Sequence, residues 1–286
     1  MPRVDRALWP LIAYFAMAFG FSWGAIAAIA LPSGVPGHAD VVASRAPALF
    51  GAMVTGPVLA SLVLTALLGG RAGLRDLARR MTRWRAGARS YAVLLAAPAI
   101  LVVLLGTLSL VSPSFMPSVF TVARPAQVIV LAIAGGLAAG FFEEIGWSGF
   151  ATPRLLARYS VLQSGLALGV LWAIWHAAAD YWSTGMMWGP AWGAHFLEWI
   201  VALTAYRVLM TWLYARTRSV LLAQLAHASF TGSQLLLWPS SAPTSAGLTW
   251  YALFALALAV LATLVVRARP AARGAASDRH APAASY

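Results

Sequence analysis

Eight runs of apolar residues recur along this 286-residue chain, at 8–31, 46–69, 90–112, 127–150, 161–182, 192–214, 219–238 and 248–267. A helix rises 1.5 Å per residue, so about 20 residues cross the ~30 Å hydrocarbon core of a bilayer. Lipid offers no partner to a backbone N–H or C=O, which leaves helices as the form such runs can take. The pattern predicts an all-α, polytopic membrane bundle with about eight transmembrane helices. A chain that is 61% apolar and 10% charged is too apolar for a soluble domain of this length. The first run is too long for a signal-peptide core and is read as a retained helix. No internal repeat separates the runs. They form a single transmembrane domain over 1–267, followed by an Ala-, Arg- and Pro-rich tail, 268–286, expected to be disordered and cytoplasmic.

Arginine placement sets the expected orientation. All 20 basic residues are Arg, and the chain carries a net charge of +12. Seven lie in the loop between the second and third runs (71, 75, 79, 80, 83, 85 and 89). With Arg3, Arg6, Arg154, Arg158, Arg216, Arg218, Arg267 at the end of the eighth run and the three of the tail, they fall on one side. Only Arg45 and Arg124 fall on the other, and Arg207 lies inside the sixth run. The positive-inside rule then puts both termini in the cytoplasm, as an even number of spans also requires, in what is expected to be a bacterial cytoplasmic membrane. The basic loop is thus a topology signal and a contact for anionic lipid rather than for nucleic acid. The absence of cysteine excludes disulfides, thiolate nucleophiles and cysteine metal sites.

The chain has only eight acidic residues, yet two adjacent ones, Glu143 and Glu144, stand in the fourth run. Ionisable groups at membrane depth are costly, face the bundle interior and pair with one another. The others are His176 and Asp180 in the fifth run, His195, Glu198 and Arg207 in the sixth, and His227 in the seventh. A carboxylate beside an imidazole can activate water, and a second imidazole can donate to an oxyanion. The same groups can hold a metal or relay protons. Structural alternatives stand beside each. The glutamates can cap a helix ending near Gly146, Gly149 and Pro153. Asp180 can be the partner of His176, and His195 and Glu198 a local pair. His227 can bond across helices, while Gly136 and Gly140 read as a close-packing pair. The thirteen tryptophans read mostly as interfacial anchors.

Three segments narrow the choice: EEIGWSGFATPRLL (143–156), LWAIWHAAADYW (171–182) and LLAQLAHASFT (221–231). In order and spacing they resemble the CPBP or Abi intramembrane proteases, related to the CAAX prenyl endopeptidases and to bacteriocin-processing and immunity proteins. That family carries EExxxR, then an aromatic-xxx-His, then His-xxx-Asn, on successive membrane helices, and the likeness covers 127–238. The resemblance implies that Glu143 activates water beside His176, that Glu144 supports the site, and that His227 with Thr231 steadies the oxyanion. It implies a peptide or prenylated peptide as substrate, within the lipid bilayer. Three positions depart from the pattern: Ser148 replaces the arginine, Thr231 the asparagine, and Trp172 the usual phenylalanine. Arg154 can replace the missing cation only if the chain folds back.

The chemistry favoured is metal-independent, with Glu143 as base; zinc held by Glu144, His176 and His227 is the alternative. A catalytically impaired binding or immunity protein of the same fold is a second alternative, and a proton-coupled transporter a third. One geometric difficulty accompanies the reading. If the fourth helix ends near Gly146, Glu143 lies at the inner face, whereas His176 lies 15 residues, about 22 Å, along a helix starting at 161. The two can meet only if a helix tilts, breaks or extends beyond the membrane.

Overall fold

The structure, a computed structural model, describes residues 8–268; the tail expected to be disordered and Arg3, Arg6 and His280 lie outside them, Ala268 excepted. Within the described residues the chain is helical: α1 (Trp9–Ala30), α2 (Ala39–Met81), α3 (Ala88–Leu94), α4 (Ala96–Val111), α5 (Pro125–Gly146), α6 (Thr152–Leu156), α7 (Val161–Trp188), α8 (Trp192–Thr217), α9 (Val220–Leu237) and α10 (Thr244–Arg267). Six helical stretches are long and apolar enough to cross a membrane, or seven when α3 and α4, bent by 50° at Leu95, count as one. One of the six, 161–217, contains both α7 and α8. It reverses at Gly189 (φ 51°, ψ −131°), and the two helices pack antiparallel, with Gly165 against Val208 and Gly169 against Thr204. Every predicted run therefore carries a helix. Large apolar side chains remain on the periphery, such as Val103, Leu110 and Leu131, where lipid covers them. The protein is an integral membrane protein.

The fourth helix does not end near Gly146. Residues 147–151 form a single π turn, and the helix continues through α6 to Leu156, 32 residues in all. Two neighbours from α2 allow this. Pro153 has no N–H for the Gly149 carbonyl four residues back, and Arg80 Nη1 donates to that oxygen at 3.0 Å. Ser61 Oγ donates to the Ile145 carbonyl at 2.8 Å. Within the turn, Thr152 Oγ1 donates to the Trp147 carbonyl at 2.8 Å. The extension removes the difficulty of height: Glu143 now stands 13 residues, about 20 Å, from the α6 end, close to the ~22 Å of His176 along α7.

The site lies where α5, α7, α8 and α9 meet. Helices α5 and α9 approach through the small residues the pattern singles out. A Cβ on Gly140 would overlap the Gln224 carbonyl, and one on Gly136 would lie 2.6 Å from the Ala228 carbonyl. Gln224 Nε2 donates to the Phe141 carbonyl across this contact at 3.0 Å. Five of the thirteen tryptophans, Trp147, Trp172, Trp175, Trp182 and Trp250, are fully buried. They fill the bundle around the polar residues.

Candidate active site

Both glutamates are buried, and they face different neighbours. Glu144, fully enclosed, is held by Arg207 of α8 in a two-point pair: Nη1 to Oε2 and Nη2 to Oε1, each 2.9 Å. Ser148 Oγ, one turn along, donates to the same Oε2. His227 Nδ1 lies 2.8 Å from Oε1. Arg207 permits Glu144 only an acceptor's role here, so the His227 Nδ1 carries the proton and its Nε2 points away from Glu144.

Glu143 turns towards α7. Its Oε2 accepts from Trp172 Nε1 at 2.9 Å and from Trp147 Nε1 at 3.3 Å. Its Oε1 lies 4.0 Å from Nε2 of His227. A water about 2.8 Å from each of these atoms fits between them. His176 Nδ1 lies 2.8 Å from the Trp172 carbonyl, which can only accept, so this nitrogen is the donor and Nε2 the acceptor. Trp172 thereby contacts Glu143, His176, His227 and Arg207. Its indole N–H meets Glu143, its carbonyl meets His176, its ring lies edge-on to His227 at 5.1 Å, and the Arg207 guanidinium sits 4.0 Å from the ring centre.

Glu143, His176, His227 and Thr231 line one cavity of about 460 Å³, walled further by Met53, Trp199, Leu203 and Phe230. Asp180 lines it too, one turn beyond His176, and accepts from Trp192 Nε1 at 2.7 Å rather than serving His176. His195 stacks on Trp188 with ring centres 4.1 Å apart; its Nδ1 and the Oε2 of Glu198 are buried without a partner, so the two do not form a local pair. The zinc alternative would require Glu144 to release Arg207. Both Glu144 oxygens are taken by Arg207, and among the described residues no three of His, Asp and Glu are grouped to hold a metal ion.

Residues 125–233 match the family model described as "Type II CAAX prenyl endopeptidase Rce1-like". The matched segment, under half of the chain, is similar to the CAAX protease family. A curated relative, CAAX prenyl protease 2 of Methanococcus maripaludis, is 27% identical over 106 residues, covering 35% of this chain. The match spans 38% of that relative's length.

Within the matched segment the departures at Ser148 and Trp172 each have a structural counterpart. The counter-charge missing at Ser148 arrives from Arg207, 63 residues on in sequence, and the Ser148 hydroxyl keeps a bond to the same carboxylate. Arg154 does not take that place. It donates to the Phe150 carbonyl at 2.9 Å and lies over the Phe150 ring. Trp172 supplies an N–H that phenylalanine lacks. Arg207 and Trp147 are site residues that motif reading passed over. The signal for Arg207 was present, since it is the one arginine placed in the interior of a predicted span.

Proposed function

We propose that the protein is an intramembrane endopeptidase that hydrolyses a peptide bond with water activated by glutamate and histidine. The observation that carries the reading is the opposition of Glu143 Oε1 and His227 Nε2 across 4.0 Å, on the wall of a cavity shared with His176 and Thr231. Glu143 takes a proton from water as the oxygen attacks the substrate carbonyl. His176 presents an unprotonated Nε2 to the same cavity and assists as acceptor, its other nitrogen being tied to the Trp172 carbonyl. The developing oxyanion is met by the hydroxyl of Thr231 and by His227. With Nδ1–H directed at Glu144, His227 donates from Nε2 only as the doubly protonated ring, whose charge the oxyanion balances. Collapse of the tetrahedral intermediate breaks the C–N bond and returns the proton to the amine. The substrate is a peptide, plain or prenylated, entering from the bilayer.

The test uses purified full-length protein in detergent with a mixed library of plain and prenylated peptides, with and without a chelator. Glu143→Gln is nearly isosteric and is expected to lower cleavage by about 100-fold or more, since it removes the base; His176→Ala is expected to fall similarly. Cleavage that survives chelation supports the metal-independent scheme. Loss on chelation with rescue by zinc refutes it. A folded wild type that binds peptides and cleaves none refutes the enzyme and leaves the binding protein in its place.

A further inference from the structure

A second cavity, of about 510 Å³, opens far from the carboxylates, between α3, α8 and α10. Its walls are one face of each helix. Arg89, Ala92, Val93 and Ala96 come from the α3–α4 segment, Leu209, Trp212 and Arg216 from α8, and Leu261, Val265 and Ala268 from α10. The spacings of three, four and seven residues put each set on a single stripe. The groove therefore runs along the helix axes for about 10 Å, the rise from residue 209 to 216 or from 89 to 96. The chain bends by 50° at Leu95 beside it.

The chemistry of the groove is graded along that length. Its deep part is apolar. Its mouth carries two exposed guanidinium groups, Arg89 and Arg216, and none of its lining residues is acidic. Arg216 is steadied over the Trp212 ring at 4.5 Å. The mouth lies at the arginine-rich end of the bundle, where Arg83 Nη1 donates to the Thr217 carbonyl at 3.4 Å and Ser219 Oγ to the Arg83 carbonyl. Two cations at the membrane surface above an apolar channel leading into the bilayer are complementary to one class of molecule. It has a phosphate at one end and an acyl chain at the other.

We propose that this groove is a binding site for one anionic phospholipid, its phosphate between Arg89 and Arg216 and an acyl chain along Val93, Leu209 and Val265. The site is separate from the carboxylate cavity and does not depend on the activity assigned to it. Basic pockets between transmembrane helices are the general form of such sites, and each basic residue adds about 1 kcal/mol to anionic-lipid attraction. Losing both arginines is then expected to weaken binding about 30-fold, at 1.36 kcal/mol per tenfold.

Native mass spectrometry of the full-length protein, titrated with phosphatidylglycerol and phosphatidylcholine, reads the site directly. Wild type should hold one phosphatidylglycerol in preference to phosphatidylcholine. Arg89→Gln with Arg216→Gln should lose that preference about 30-fold. Arg71→Gln with Arg75→Gln removes the same charge elsewhere in the basic loop and should leave the preference intact. Val265→Trp blocks the channel without changing charge and should also displace the lipid. Excess glycerol phosphate, which has the headgroup and no chain, should not compete. Equal loss in the two arginine pairs would reduce the effect to general surface charge and overturn the site. Full competition by glycerol phosphate would make it a site for a small anion and overturn the lipid.

Discussion

Removing Arg207 should cost this protein more than any other single polar substitution, because it leaves a fully enclosed carboxylate without its cation. Arg207→Met keeps the length of the side chain and deletes both 2.9 Å contacts to Glu144. Breaking a buried pair by removing one partner costs about 3–5 kcal/mol. At roughly 2–4 °C per kcal/mol for larger domains, Tm falls on the order of 10 °C. The informative experiment adds Ser148→Arg to this variant. Position 148 is one turn from Glu144 and already directs its side chain to the same carboxylate oxygen. By itself, Ser148→Arg crowds a second cation into a packed site and should destabilise. In the Arg207→Met background it enters vacated space and restores the charge, so the two changes should couple favourably by about 2 kcal/mol or more. Thermal melts followed by tryptophan fluorescence in detergent, with cleavage measured in parallel, read both effects. A Tm within about 1 °C of wild type for Arg207→Met, or strictly additive effects in the double variant, would refute the argument that Arg207 replaces the motif arginine.

Trp172→Phe removes the 2.9 Å donor to Glu143 while keeping an aromatic ring beside His176; a hydrogen bond to a charged group is worth about 1.5–3 kcal/mol, so cleavage should fall about 10- to 100-fold, and unchanged kcat/KM would remove Trp172 from the site. Thr231→Ala should lose about 10- to 1000-fold in kcat, as for one oxyanion donor, with Thr231→Asn tolerated; equal rates in all three forms would deny Thr231 that role. Gly140→Val places its Cβ against the Gln224 carbonyl and should force α5 from α9, lowering Tm by several degrees; an unchanged melt would contradict that contact.

The helical bundle was legible because hydropathy reports directly on what lipid permits, and every predicted run carries a helix. That Glu143 and His227 could share a cavity was legible from their depth in the membrane, and the motif order narrowed it. What escaped was the local path of the fourth helix. Gly146, Gly149 and Pro153 read as a stop, since propensity counts only the helix's own hydrogen bonds. It cannot see Arg80 and Ser61, on another helix, supplying donors to carbonyls in and beside the π turn. Arg207 escaped for a related reason. A motif records positions along one helix, whereas a carboxylate is satisfied by whichever cation reaches it, and here that cation comes from α8. His195 and Glu198 mislead in the opposite direction: spaced for a helical pair, they are drawn apart by the stacking of His195 on Trp188.

Two adjacent residues of one type take opposite parts because a helix turns about 100° per residue. Side chains at 143 and 144 therefore turn to different helices, and His227 alone stands between them, one ring nitrogen towards each. Glu144 faces α8 and α9, where Arg207, Ser148 and His227 occupy both of its oxygens, so it has no lone pair to offer a substrate without giving up a bond. Glu143 faces α7 and the cavity. It receives only indole N–H groups, both on Oε2, and its Oε1 has no such partner and opposes His227. Of the two carboxylates, the one left able to accept a proton from water is Glu143, and the one that fixes the tautomer of His227 is Glu144. Exchanging the two roles would require moving Arg207 from α8 to α7, near the place of Trp172. The division of labour is therefore set by the helices around α5 rather than by anything in the Glu-Glu pair itself.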